Sequence, residues 1–399
     1  MSQVKNEITW INTLKGICII LVVLNHSIIT TLPSALEHLT AGYLSADIWI
    51  KFNLFISPLR MPAFFFVSGL LAANAINKNW PEVFTKRFRN LTYLYFIWAI
   101  IQWFFISLII SPLISMKVSA VENSAYADNI IDFFKFIITG KTSLWYLYAL
   151  AGYFLLAKLL RKQKYPLIVT SIIVSYAASL GALPGWGLTS ICQNVVYFVL
   201  GAFFSAELIN FCEMKKSNML LWGVLLIAGI INIKLGIIKN IFTCLLAIIA
   251  LIIICRELNK KINLSWVNWL GKNTLQIYVI HRIFIEALSG LVLTAGVSYG
   301  LFESSRFSLM CTLFYPIIAV VLCIIGSLFI WHCINRGVGR VFFMHPSLLI
   351  HKKPYDHAGV SYLTDIMRRR AVGAARSTRQ GIFLVHNVTQ TKTSRRCSS

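Results

Sequence analysis

Two histidines lie inside long apolar segments of this chain, where a membrane helix would place them deep in a bilayer. His26 comes eleven positions after Lys15, within the first apolar run. Because a helix rises about 1.5 Å per residue, His26 would lie about 16 Å from Lys15, near the bilayer centre. An ionisable side chain costs about 2.5 kcal/mol or more there, so His26 is a functional-site candidate.

Two further polar residues are predicted at a similar depth on other helices. Ser68 precedes Lys78 by ten residues, and His281 follows Lys272 by nine. These separations correspond to about 15 Å and 13–14 Å of helix. Three polar groups from three helices at one depth predict a buried active site that is reached from the basic helix ends. We take His26, His281 and Ser68 as the candidate catalytic residues.

Packing alone offers an alternative for each of these residues. His26 could simply hydrogen-bond a neighbouring helix, and Ser68-Gly69 could be a small-residue patch between helices. Arg282 and Glu286 are four residues apart on one helix face, so they are predicted to pair with each other and to be structural.

A basic cluster, Lys86-Arg87-Phe88-Arg89, begins the third apolar segment. It could fix orientation in the membrane, since loop cations do this. It could instead hold a phosphorylated acyl donor such as coenzyme A, because guanidinium groups bind phosphate oxygens in bidentate geometry. No glycine-rich phosphate loop is present in the sequence. Lys86, Arg87 and Arg89, with Lys15, are therefore the candidate cofactor-binding residues.

Aromatic residues near the opposite membrane face could bind an acceptor. Trp145 and Tyr148 are typical of an interfacial aromatic belt, and they could also stack on a sugar ring. Together with Arg60, which is predicted on the same outer side, they form the candidate substrate-binding set.

Composition excludes a soluble protein. The 399 residues are 57% hydrophobic and only 13% charged, and the mean hydropathy is +0.72, whereas soluble domains are about 25% charged. The net charge of +23 lies in short loops and the tail, which favours membrane orientation over nucleic-acid binding. The nine cysteines form no CxxC pair, so neither a metal site nor a disulfide framework is predicted.

The apolar segments predict an all-α integral membrane protein with about ten transmembrane helices and both termini in the cytoplasm. The basic residues are roughly twice as frequent at the ends assigned to the cytoplasm. Residues 1–12 are assigned to a cytoplasmic N-terminus, 13–346 to a membrane domain, and 347–399 to a basic, disordered cytoplasmic tail. The predicted spans are 13–31, 57–76, 91–115, 143–160, 166–184, 189–210, 218–236, 238–255, 270–296 and 307–335.

With these motifs in this order, the chain resembles the integral-membrane acyltransferase family three over roughly residues 9–335. Members of this family are bacterial membrane O-acyltransferases of surface glycans. The resemblance is carried by Lys15 with His26, an FFxxSG-type segment at 64–69, the cluster 86–89, an LWFL-type segment at 143–147, and a G-x-x-[ST]-L-x-[IV]-Y-x-x-H segment at 271–281. Two positions depart from the family pattern. Lys15 stands where arginine is usual, and Ser143 stands where relatives often have histidine.

The resemblance implies transfer of an acyl group, usually acetyl from cytoplasmic acetyl-CoA, to a hydroxyl of a lipid-linked sugar or envelope polysaccharide. The protein would then lie in the bacterial inner membrane, in contact with membrane lipids, and use no metal. His26 would act as general base or transient acyl carrier, while His281 and Ser68 would orient the site or stabilise negative charge. The alternative is a glycan or small-molecule exporter with histidines along its pathway, although the two halves show no convincing internal repeat.

Overall fold

The computed structural model describes residues 2–113, 122–213 and 215–350, and within these ranges all regular structure is helical. Seven helices are long and apolar enough to cross a membrane, which confirms an all-α membrane protein. Two more apolar helices, Trp145–Leu159 and Asn218–Lys234, are shorter. The total of ten spans and the cytoplasmic placement of both termini stay predictions. Residues 351–399 of the predicted tail lie outside the described residues.

We number the helices in chain order. They are α1 Ser2–Leu36, α2 Tyr43–Phe55, α3 Ser57–Asn77, α4 Trp80–Leu113, α5 Ile130–Ile138, α6 Trp145–Leu159, α7 Lys164–Ser179, α8 Trp186–Phe203, α9 Ser205–Phe211, α10 Lys216–Lys234, α11 Ile241–Lys261, α12 Ser265–Lys272, α13 Thr274–Ser298, α14 Ser305–Ile334 and α15 Pro346–Ile350.

The helices extend beyond the apolar runs from which they were predicted. Helix α1 covers 2–36 although the predicted span is 13–31, and α4 begins at Trp80 although the predicted span begins at 91. Hydropathy detects only the part of a helix that matches the hydrocarbon layer, while polar residues can continue the helix into the interface. As a consequence, the cluster Lys86–Arg89 lies on helical backbone, in a π-helical turn.

Five shorter helices, α2, α5, α9, α12 and α15, were not predicted as separate elements. Each is too short to read as a span, since crossing the hydrocarbon layer takes about 20 residues. Helix α2 matters for the site because it carries Asn53, which is buried. The close pair α10 and α11 is joined by a turn at Gly236, whose φ of 84° favours glycine.

Helix α1 is the centre of the bundle, because it contacts α2, α3, α11, α12, α13 and α14. Its contact with α12 is close enough to require glycine on both sides. A Cβ at Gly16 would lie 2.3 Å from the carbonyl oxygen of Val267, and one at Gly271 would lie 1.8 Å from that of Asn12. The close packing fixes the height of Lys15 relative to the start of α13.

Helices α3 and α8 form the most extensive helix pair, and they also meet through two glycines. A Cβ at Gly69 would lie 2.1 Å from the carbonyl oxygen of Phe198, and one at Gly201 would lie 2.0 Å from that of Phe66. Small residues that allow backbones to approach are typical of membrane helix interfaces. Gly69 therefore has the packing role considered for it from sequence, and it fixes the position of its neighbour Ser68.

We expect Gly69→Ala to lower the stability of the protein by about 1–3 kcal/mol, because the added methyl group forces two backbones apart. Gly223→Ala is the matched control, since nothing lies within 4 Å of a Cβ at Gly223. Thermal unfolding in detergent measures both variants. Equal melting temperatures for the two variants would contradict the close α3–α8 contact.

Candidate active site

A cavity of about 250 Å³ opens between α1, α3, α4, α6, α8 and α13. Three cationic side chains, Lys15, Lys86 and Arg87, line it together with Ser68 and Tyr278. The rest of its wall is mostly apolar, including leucine and phenylalanine side chains. The fold therefore brings together four residues that the sequence singled out from three different segments. We name this space the donor cavity and call the helix ends that carry its cations the basic side.

The members of the basic cluster have different positions. Arg87 donates from Nη2 to the carbonyl oxygen of Leu71 at 3.2 Å, which fixes its guanidinium in the cavity wall, while Lys86 is exposed. Arg89 is not among the residues that line the donor cavity. It lies near His345, and partial burial together with the Arg89 charge lowers the pKa of that imidazole.

Ser68 is a hydrogen-bonded part of the cavity wall. Its Oγ donates to the carbonyl oxygen of Phe64 at 2.8 Å and lies 2.6 Å from the hydroxyl of Tyr146. With the serine proton directed at Phe64, the Tyr146 hydroxyl is the donor of the second bond. Ser68 can therefore hold Tyr146 in place, but its own proton is already used.

Tyr278 connects the donor cavity to the histidines. Its ring lines the cavity and lies 5.7 Å from the ring of His281, between centroids. Its hydroxyl donates to the carbonyl oxygen of Ser143 at 2.8 Å and accepts from the backbone N–H of Tyr146 at 3.3 Å. Ser143, which stands at the family's histidine position, donates from Oγ to Gln102 at 2.6 Å and so anchors this wall.

His281 is fully buried and carries a free ring nitrogen. Its Nδ1 lies 2.6 Å from the carbonyl oxygen of Tyr278. Since a carbonyl can only accept, Nδ1 is the protonated nitrogen and Nε2 bears the lone pair. Nε2 is buried without a hydrogen-bond partner among the described residues. This nitrogen therefore has an unused acceptor lone pair.

His26 has the opposite tautomer. Its Nδ1 lies 3.0 Å from Nη1 of Arg282, and a guanidinium cannot accept a hydrogen bond. Nδ1 therefore accepts, and in the neutral ring the proton is on Nε2. The two imidazole rings lie 5.2 Å apart between centroids. His26 keeps partial exposure, whereas His281 has none.

Arg282 is part of the candidate site, and its contact with His26 is one that the sequence did not predict. It forms the predicted ion pair with Glu286, and both side chains are at most 5% exposed. Besides His26, it donates to Thr30 Oγ1 at 3.2 Å and to the Tyr126 hydroxyl at 3.2 Å. Burial raises the pKa of Tyr126, which keeps it protonated. The i,i+4 spacing indicated the ion pair, but it gave no signal for the contact with His26, since that residue is 256 positions away.

Beyond His26, away from the basic side, a polar chain leads to Arg60. The Asn53 side chain donates to Asn25 at 3.1 Å, and Arg60 donates to Asn53. Trp145 and Tyr148 do not join this chain. Trp145 packs on Phe65 and Tyr148 on Tyr95, with centroid distances of 5.6 and 5.3 Å. The structure therefore brings Arg60 to the histidine site without these two aromatic residues.

Comparison with known proteins agrees with this architecture. A family model described as an acyltransferase domain matches residues 8–336. The inner membrane protein YcfT of Escherichia coli K12 is 33% identical over 355 residues, which cover 86% of this chain and 98% of YcfT. No solved structure matches this chain.

We expect Arg282→Met to destabilise the protein by about 3–5 kcal/mol, because it leaves Glu286 buried without its partner. The double variant Arg282→Met/Glu286→Met should recover most of this loss, since it removes the buried charge as well. Thermal unfolding of the two variants and the wild type measures the effect. A single variant as stable as the double variant would contradict a tightly coupled buried pair.

Proposed function

The chain belongs to acyltransferase family 3, and we propose that it is an O-acyltransferase of the bacterial inner membrane. It transfers an acyl group, acetyl in the first instance, from acyl-coenzyme A. The acceptor is a hydroxyl of an envelope glycan or lipid-linked sugar. The observation that supports this proposal best is the donor cavity, whose wall includes three cations and Tyr278, which packs on His281, one of the two paired histidines.

The donor cavity suits a phosphorylated thioester. Lys15, Lys86 and Arg87 would bind the coenzyme A phosphates, since ammonium and guanidinium groups form charge-assisted hydrogen bonds with phosphate oxygens. The apolar wall would receive the pantetheine arm and direct the thioester toward Tyr278. Arg89, which lies outside the cavity lining, would contribute only to the long-range positive field on this side.

The two tautomers suggest different catalytic roles for the two histidines. These roles differ from the sequence hypothesis, in which His26 is the general base or acyl carrier. His281, with its lone pair on Nε2, is the better general base. His26, with its proton on Nε2, is suited to donate a hydrogen bond to developing negative charge. Arg282 is a positioning residue, because it holds Nδ1 of His26 and so directs the proton to Nε2.

The proposed reaction is a direct transfer of the acyl group from the thioester to the acceptor hydroxyl. The acceptor hydroxyl gives its proton to Nε2 of His281 while its oxygen attacks the thioester carbonyl carbon. The carbonyl oxygen becomes negative and accepts a hydrogen bond from Nε2–H of His26. The intermediate then collapses, the carbon–sulfur bond breaks, and the coenzyme A thiolate takes the proton back from His281. The products are an ester and free coenzyme A.

The acceptor is proposed to approach from the side opposite the donor cavity. His26 is partly exposed, and the chain from Asn25 through Asn53 to Arg60 continues away from the basic side. Amide and guanidinium groups can bind sugar hydroxyls or an anionic group of a lipid-linked sugar. Trp145 and Tyr148 stay candidates for contacts with the sugar ring at a distance from the histidines.

Radiolabel transfer tests the proposed activity. Purified protein in liposomes receives acetyl-coenzyme A labelled in the acetyl group and a glycolipid extract from the native host. We expect label in the glycolipid with the wild type and none with His26→Ala, while His332→Ala, which removes an exposed histidine, should match the wild type. Glycan movement across the liposome membrane without any label transfer would instead favour an exporter.

The different roles proposed for His26 and His281 predict different results when each is replaced by glutamine. Glutamine can donate a hydrogen bond from its amide but is no base at neutral pH. We therefore expect His26→Gln to keep substantially more activity than His26→Ala, and His281→Gln to lose at least about 100-fold, as for a general base. If His26 were the base or the acyl carrier, His26→Gln would be as inactive as His26→Ala.

A further inference from the structure

A second cavity lies on the basic side, outside the site described above. Its volume is about 380 Å³, and it lies between the α3–α4 turn and the end of α6. We name it the 78–163 pocket. Its lining includes four cationic side chains and one indole: Lys78, Lys158, Arg161, Lys162 and Trp80. None of the residues that line it is acidic, although Glu82 acts on Lys158 electrostatically.

Hydrogen bonds hold Lys158 at the base of the 78–163 pocket. Lys158 is 4% exposed and donates to the carbonyl oxygens of Ile76 and Lys78, at the end of α3. Its ammonium group also lies 5.0 Å from the ring centre of Trp80. A buried lysine in this position provides a fixed positive charge at low entropic cost. By contrast, Arg161 and Lys162 are exposed at the rim, where Arg161 donates to the carbonyl oxygen of Asn77 at 3.4 Å.

The 78–163 pocket lies further along two helices, α3 and α6, whose preceding residues line the donor cavity. On α6, Phe154 lines the donor cavity and Lys158 lines the pocket, four residues or about 6 Å further along. On the α3 side, Ala72 lines the donor cavity, and Lys78, which lies just past the end of α3, lines the pocket. One extended ligand with phosphates along its length could therefore occupy both cavities.

The pocket matches the remaining part of such a ligand. A cavity of this volume is larger than one phosphate group requires, and it lies within the range of small-molecule sites. Four cations favour several phosphate charges. Trp80, at 39% exposure, offers an aromatic surface on which a purine could stack. A nucleotide that carries phosphates combines these features.

We propose that the 78–163 pocket binds the ribose-phosphorylated adenosine portion of the coenzyme A donor, while the donor cavity, with Lys15, Lys86 and Arg87, holds its diphosphate, pantetheine arm and thioester. This inference rests on the proposed acyltransferase function. An anionic phospholipid headgroup also carries a phosphate that these cations would bind. The test therefore distinguishes coenzyme A from phospholipid as the source of the phosphate.

The test compares ligands that share the pantetheine arm but differ in the nucleotide. Binding of coenzyme A and of pantetheine is measured by calorimetry, on the full chain in phosphatidylcholine nanodiscs. We expect Arg161→Ala/Lys162→Ala to weaken coenzyme A binding at least about tenfold and to leave pantetheine binding unchanged. The control, Lys260→Ala/Lys261→Ala, removes the same charge from another helix end and should not change either affinity.

Each outcome decides a specific point. If the Arg161→Ala/Lys162→Ala variant binds coenzyme A as the wild type does, or weakens both ligands equally, the inference is wrong. If coenzyme A binding is unchanged but the variant loses phosphatidylglycerol that the wild type retains in mixed nanodiscs, the pocket is a lipid headgroup site. A wild type that binds no coenzyme A would contradict the proposed function itself, and the inference with it.

Discussion

The charge of Arg282 is the constraint around which the candidate active site is organised. Its side chain is 5% exposed, and that of Glu286 is 1% exposed. Removing two charges from water costs several kcal/mol for each ion, which good geometry and further hydrogen bonds must offset. Arg282 meets most of this demand through Glu286, Thr30, Tyr126 and His26, although its Nε has no hydrogen-bond partner among the described residues. The same contacts that satisfy the buried cation also fix the tautomer of His26.

The contacts of Arg282 join the helices that carry the two histidines. Arg282 and Glu286 belong to α13, His26 and Thr30 to α1, and Tyr126 to the segment before α5. A further polar cluster next to it joins α1, α13 and α14, with Thr31, Ser289 and Tyr315 within 2.5–3.0 Å of one another. Polar groups within a membrane interior find partners on neighbouring helices. The networks therefore hold the histidine helices at one rotation about their axes.

Close backbone contacts complete the frame on the donor side. Glycine pairs bring α1 against α12 and α3 against α8, and these contacts set the spacing of Lys15, Ser68 and the aromatic wall of the donor cavity. The histidine site and the donor cavity are distinct, and Tyr278 belongs to both, because it lines the cavity and its ring lies 5.7 Å from the ring of His281 between centroids. Such a division suits a reaction in which a large donor is held on one side and its reactive end meets an acceptor on the other.

The sequence by itself determined the all-helical membrane architecture, since long apolar runs leave few other solutions. It also determined how far along their helices His26, Ser68 and His281 lie, because rise per residue is a property of the backbone. Only the tertiary structure decided what these side chains face. It placed Lys86 and Arg87 in the cavity without Arg89, and it gave Arg282 a partner on α1. Helix rotation and hydrogen-bond partners depend on how separate helices pack, and no local pattern in the chain encodes the distance between residues 26 and 282.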